Sequence, residues 1–455
     1  MTLGEKNPKS QTAFVPLDDR PCNASFPQKL GECAGFQLVF PPVKLLGRFK
    51  TPGDPDLIAS WLKDIVPQVD RVIASVEMMT CGGLIASRGT STKQNDAMNK
   101  LKVFGELKKL NPNISINLFS LIMKYSENAS DEERFARKRN HEINKATLKS
   151  VSDGDIDLLI IGEDDVSRTG PHLSEVSELK ALIKRSAIEN KVNMLCGADE
   201  IGMMLIARAM LANRAIPKVY VVPLDEKGLD LIPMYEDRPL KVSIEEHVAA
   251  SGGALVKNLN DADVILFVNT FKEKQRDLFL DGALFKQKDF GEFVQSIKKA
   301  ADSKKSVAIA DVAYANGADP QFMEALLKEV KVEKLAAFAA WNTASNSLGS
   351  ALAQTFAGKT KDKLFLLERF IDDYLYQSIL RQRIKKDLLE RGASIYDLSD
   401  KYQPVNWVVK EELKSLAKDF AAKHFKSLDP KKLKFNIQLP WPRIFEVEIQ
   451  LKLES

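Results

Sequence analysis

One rhythm constrains this chain more than any other feature. Short, mostly β-branched apolar runs recur through residues 1–215, each followed by a polar turn and a longer helical stretch. The runs are Ala13–Pro16, Gln37–Phe40, Arg71–Val76, Ser115–Leu121, Asp157–Ile161 and Asn193–Leu195. Several are apolar throughout rather than alternating, which is the pattern of parallel strands covered on both faces. Helical candidates lie between them at Asp56–Val66, Asp96–Leu110, Asp131–Val151 and Glu175–Glu189. Strand alternating with helix predicts βα units, and so a barrel or a doubly wound sheet.

From Lys218 the rhythm changes. Val219–Pro223 and Val264–Val268 read as strands around a helical segment at Ser243–Ser251, and Pro217–Lys288 is taken as a small α/β insertion. Two more βα-like units follow, with strands at Val307–Ala310 and Ala336–Ala340. Six early units and these two give the eight that close a barrel. The expected fold is therefore a (β/α)8 TIM-like barrel, with a doubly wound parallel sheet as the alternative. Residues 1–216 supply the first six units, 217–288 the insertion and 289–360 the last two units. Residues 361–455 form a C-terminal extension, helical to about Arg391 and again from Lys410 to Phe425. It ends in a β-hairpin, Lys434–Leu439 and Phe445–Leu453, around the rigid Pro440-Trp441-Pro442 turn. No internal repeat is evident in the sequence.

Composition narrows the function. Across 455 residues, 66 Lys and Arg against 62 Asp and Glu leave a net charge of only +4, too balanced to point at nucleic acid. No stretch approaches the roughly 18 apolar residues of a membrane span, and Met1 to Gln11 lacks the apolar centre of a secretory signal. Cys22, Cys33, Cys81 and Cys196 show no CxxC spacing, so free thiols in a reducing compartment are expected, and a cytoplasmic location with them. Neither a GxxxxGK[ST] loop nor a strand-linked GxGxxG occurs, which disfavours nucleotide binding.

In parallel α/β folds ligands bind at the carboxyl ends of the strands. Here those ends are polar: Asp18-Asp19-Arg20 with Asn23, Glu77 and the later Arg88, Glu163-Asp164-Asp165, Asp199-Glu200, Asp311 with Tyr314 and Asn316, and Trp341-Asn342 with Asn346. Each has a plainer reading. Asp18 and Asp19 can satisfy turn amides and pair with Arg20. Asp199 can cap the following helix, and Thr343 or Ser345 another. Gly82-Gly83 can serve only a tight turn. His141, His247 and His424 read as surface residues on charged helices, which leaves His172 as the histidine placed near a pocket.

Asp164-Asp165 carries the most information. Neighbouring strand side chains face opposite ways, so two adjacent aspartates reach one pocket only where a strand breaks into a loop. Gly162 before them and Ser167 to Gly170 after them supply that break. Paired carboxylates repel and one tends to keep its proton, giving a general acid beside an ionised partner, as glycosidic cleavage requires. The same pair could instead hold Mg²⁺ or another divalent cation, with Asp18, Asp19 or Glu77 completing the oxygen shell. The residues alone leave both readings open.

The segments Val15–Asn23, Gly82–Arg88, Gly162–Asp165, Gly197–Glu200, Trp341–Gly349 and Leu439–Glu446 together resemble the bacterial family catalogued as domain of unknown function 4127. They span nearly the whole chain in order, and the family brings no established reaction. Glu77 and Cys81 stand where its pattern leads one to expect aspartate and tyrosine, so the substrate edge is expected to differ. At the level of the site alone, the chain also resembles retaining N-acetylglucosaminidases of the O-GlcNAcase type. That analogy implies that Asp164 polarises the substrate's acetamido group and Asp165 protonates the leaving oxygen. It also implies that Asn342 or Asn346 holds sugar hydroxyls and that Trp341 or Tyr314 faces the ring.

The expected function is a hydrolase acting through Asp164 and Asp165 on a sugar-containing small molecule or glycan, without a cofactor. Substrate contacts are expected from Asp18, Asp19, Arg20, Asn23, Glu77, Arg88, Asp199, Glu200, Asp311, Tyr314, Trp341, Asn342 and Asn346. The rivals are a divalent-metal hydrolase or lyase and a non-catalytic carbohydrate-binding or sensing protein. The expected partner is that substrate, with neither nucleic acid nor membrane; a homo-oligomer stays open.

Overall fold

The computed structural model describes residues 11–124, 128–212, 214–283, 289–358 and 363–454. Residues 1–10 of the first expected segment, 284–288 of the insertion and 361–362 at the start of the extension lie outside them, as does Ser455. The chain divides into two units. The first holds the residues up to Asp19, Pro27–Asp164 and Gly170–Met194; the second holds Arg20–Phe26, Asp165–Thr169 and the chain from Leu195 on.

The runs predicted from sequence are strands: β1 (Gln11–Val15), β2 (Gln37–Val39), β3 (Arg71–Ser75), β4 (Ser115–Ile122), β5 (Leu158–Glu163) and β6 (Val192–Cys196). Their order is β2-β1-β3-β4-β5-β6, and the register pairs that link β1 to β5 and β1 to β2 are parallel. β4 is buried at every residue after its first and β5 at all of them, which explains their uninterrupted apolar sequence. The core of this unit packs Val72, Ala74, Leu159 and Ile161 against helix residues such as Ile58, Leu62, Val176 and Leu179.

The second unit contains β7 (Lys218–Pro223), β8 (Ala254–Leu255), β9 (Val264–Asn269), the two-residue β10 (Arg276–Asp277), β11 (Ser306–Asp311), the two-residue β12 (Tyr314–Ala315) and β13 (Ala337–Ala339). Five of them form one parallel sheet in the order β13-β11-β9-β7-β8. Read from its first strand, this is the winding of the first sheet again: the second strand lies outside the first, and the third, fourth and fifth follow on the other side.

The expected closed barrel is therefore corrected. The described strands make two open, doubly wound sheets, one of six strands and one of five. A barrel needs each strand to pair with its successor, whereas β3 pairs with β1 and leaves β2 at the edge. The strands expected in the insertion, β7 and β9, share a sheet with β11 and β13, expected in the last barrel units. The expected single helix at Asp96–Leu110 is two, Gln94–Leu101 and Val103–Leu110.

The extension folds as helices Lys363–Phe370, Arg381–Glu390 and Tyr402–His424, with a wide π-helical stretch, Ile371–Leu380, leading into the second. The hairpin is antiparallel, β14 (Leu433–Gln438) with β15 (Glu448–Leu453). No helix among the described residues is long and apolar enough to cross a membrane.

Candidate functional site

In the first unit, polar residues gather where β1, β3 and β5 end. Ser75 caps the short helix Val76–Cys81 that follows β3. Its hydroxyl also donates to Glu77 Oε2 at 3.0 Å, while Leu121 N–H at the end of β4 donates to Glu77 Oε1 at 2.7 Å. Burial pushes the Glu77 carboxyl up to about 7 against those hydrogen bonds, and the nearby charge of Asp164 adds to the push. Asp164 is buried and forms an ion pair with Arg88.

Arg88 sits in a loop that is itself anchored. Arg139 and Asn140 on the helix Asp131–Asp153 donate to the Ser87 carbonyl, and Arg139 also donates to the Gly89 and Thr92 carbonyls. Gly82-Gly83 serves the tight turn: both have left-handed backbones, and a Cβ on Gly82 would lie 2.6 Å from the Gly53 carbonyl oxygen. Asp18 is buried and Asp19 half-buried at the end of β1. Among the described residues, Asp18, Glu77 and Asp164 are not drawn together as a three-ligand metal group. His172 is fully buried at the start of the helix His172–Arg185.

In the second unit a larger network forms around Arg20. Its guanidinium grips Asp199 with both ends, at 3.1 Å and 2.5 Å, and lies 3.7 Å from Glu446 and 5.4 Å from the centre of the Trp441 ring. Asn23 donates to Asp199 at 3.0 Å, and Asn342 reaches it at 3.5 Å. Asp199 therefore serves Arg20 and the two amides, and no side chain caps the helix Ile201–Met210. Arg443 pairs with Glu446 and lies over Trp441. Trp341 is buried against Phe445, ring centres 6.2 Å apart.

The network continues through strained backbone. Asn342, Asn316, Tyr235 and Asp165 have φ of 59°, 64°, 68° and 45°, in the left-handed region that non-glycine residues avoid. Asn316 N–H donates to the Asn342 carbonyl at 2.8 Å. The Asn316 amide and the Tyr235 hydroxyl both donate to Asp277 Oδ2, at 2.8 Å and 2.7 Å. Val166 N–H donates to the Tyr235 carbonyl, and the Tyr235 hydroxyl feels the charge of Asp165. Burial, then the bond to Asp277, pushes the Tyr235 phenol well above its ordinary range. Such strain costs on the order of 1–3 kcal/mol per residue and clusters at functional sites.

Other expected contacts are committed to the scaffold. Asp311 is fully buried and accepts from Asn269 at 2.8 Å, Ala313 N–H at 3.2 Å and Asp319 N–H at 2.7 Å, which ties down its loop. Tyr314 packs on Leu278 and Ala313. Asn346 donates to Thr343, whose hydroxyl caps the helix Ala344–Ala357. Glu200 is buried and accepts from Ala198 N–H at 3.0 Å and from His247 at 3.2 Å.

His247 is a correction, since its ring is wholly buried rather than on the surface. Its other nitrogen meets the Ser243 carbonyl at 2.6 Å. Burial works against the imidazolium, yet Glu200, the Ser243 carbonyl and Glu236 hold its pKa above the ordinary histidine value. Tyr235 and Asp277 were not predicted from sequence. Asn316 was marked only by its place in the polar strand end that begins at Asp311.

No curated protein and no solved structure matches this chain. The profile of the family described as "Protein of unknown function (DUF4127)" matches residues 12–137 and 134–450. Four of the six segments that carry the resemblance, those with Arg20, Asp199, Asn342 and Glu446, supply the network around Asp199. The chain belongs to the DUF4127 family.

Proposed function

We propose that this protein is a hydrolase acting on a sugar-containing small molecule or glycan, bound at the second unit's strained polar network. One observation carries the reading: Asp165, Tyr235, Asn316 and Asn342 all hold left-handed backbones while presenting carboxyl, hydroxyl and amide groups. Planar amides and carboxylates set beside tryptophan match the alternating hydroxyl edge and apolar face of a sugar ring. Asp165 is the proton donor in this reading. It protonates the glycosidic oxygen as the bond to the anomeric carbon breaks; water then adds to that carbon, and its displaced proton returns to the Asp165 carboxylate.

The test is a panel of chromogenic N-acetylhexosaminides and other glycosides, with and without EDTA. Turnover that survives EDTA and falls at least about a hundred-fold in Asp165→Asn is the expected result, that being the usual worth of a positioned acid. Turnover abolished by EDTA points to the metal-dependent alternative. Saturable sugar binding with no turnover makes the protein a binding or sensing one. Either result overturns the proposal.

A further inference from the structure

The second unit contains a buried cation that the network above does not use. Arg381 begins the helix Arg381–Glu390 just after the π-helical stretch, and its N–H donates to the Tyr376 carbonyl five residues back. Wide helical turns of this kind recur at functional sites. The guanidinium is fully buried between two aromatic rings, 3.7 Å from the centre of Phe279 and 4.6 Å from that of Phe445. Its Nη1 donates to Gln377 at 2.6 Å. Nε and Nη2, the two donors on one edge of the plane, have no acceptor among the described residues. That edge is the fork that receives a carboxylate or phosphate through two parallel hydrogen bonds.

The neighbouring acids are already engaged. Asp277 accepts from Tyr235, Asn316, Phe279 N–H and Leu280 N–H. Glu446 is held by Arg443, with Arg20 nearby. Arg443 also lies over Phe445, 5.3 Å from its centre, so two like charges share one ring. Burial, the largest influence, lowers the Arg381 pKa to about 10, and the charge of Arg443 pushes the same way. A fixed, desolvated fork beside a second guanidinium is costly to keep unless an anion completes it.

We propose that Arg381 is the anchor of an oxyanion site, taking the carboxylate or phosphate group of a small-molecule ligand, with Arg443 as the second cation. The site stands on the geometry of the fork and does not depend on glycoside hydrolysis, so it can hold even if no glycoside is cleaved.

The experiment uses the full chain and measures melting temperature and titration calorimetry. Inorganic phosphate and acetate are the probes, each against chloride at matched ionic strength. For the wild type, the expected result is a rise of roughly 2–5 °C with one or both probes at saturation. The stronger probe tells whether the ligand carries phosphate or carboxylate. Arg381→Met, which keeps the apolar stem between the rings, is expected to melt no lower than wild type without anion and to lose the response. Arg381→Lys, which keeps the charge but not the fork, is expected to weaken binding at least about thirty-fold. If Arg381→Met does not fold, the lysine variant decides by the same criterion. An equal response in wild type and variant, or no response to either probe in wild type, overturns the proposal.

Discussion

Asp199→Asn tests whether the second unit is organised around Arg20. The substitution keeps the shape of the side chain but removes its charge and turns one acceptor into a donor. Asp199 receives both ends of the Arg20 guanidinium, and the two side chains are 5% and 4% exposed. In the variant an NH₂ group must face the Arg20 guanidinium whichever way the amide is turned, because both Asp199 oxygens accept from it, and a guanidinium cannot accept. Removing one partner of a buried ion pair costs about 3–5 kcal/mol, because the other charge stays buried. Arg20 keeps Glu446 at 3.7 Å and the face of Trp441, so the lower end, about 3 kcal/mol, is expected. Urea unfolding followed by circular dichroism reads this as a lower midpoint at unchanged slope. Arg20→Met alone should also destabilise. The double variant should recover about 2 kcal/mol relative to the sum of the singles. A loss below about 0.5 kcal/mol, or strict additivity, would refute the reasoning.

Two further outcomes follow from the buried carboxylates. Glu77 has a folded pKa of about 7, raised by burial above its ordinary 4.5. Its contribution is thus fully present below about 4.5 and is lost as pH rises through about 7. Glu77→Gln keeps an acceptor for Leu121 N–H and removes the charge. It should leave stability nearly unchanged at pH 5 and raise it by about 1–3 kcal/mol at pH 8.5; a gain at pH 5 that vanishes at pH 8.5 would contradict this. Gly349→Ala would place a Cβ 2.3 Å from Glu200 Cγ and 2.7 Å from Met204 Sδ. Glu200 cannot readily give way, being tied to His247 and Ala198 N–H, so a loss of about 2–3 kcal/mol is expected in thermal unfolding.

The strands were legible because a strand buried on both faces must be apolar at successive positions, and β4 and β5 are. Their order was not. Whether β2 lies outside β1 is decided by the direction of the crossover, which leaves no trace in composition, and β8 spans only two residues. For the site, the break after Gly162 was readable from its turn residues, and Asp165 does take a left-handed backbone there. The partnership of Arg20 with Asp199 joins residues 179 apart, and the role of Tyr235 depends on a backbone angle. Neither could be read locally. His247 misled for a related reason: a charged helical neighbourhood suggests solvent, while Glu200 answers the imidazole from the turn before another helix.

The membership of Arg20–Phe26 in the second unit, although the residues on either side belong to the first, has a practical consequence. No single scissor cut yields the second unit whole. A fragment beginning at Leu195 would carry Asp199 but leave behind the arginine and asparagine that hold it. Such a piece should be expressed with residues 20–26 supplied in trans or by circular permutation.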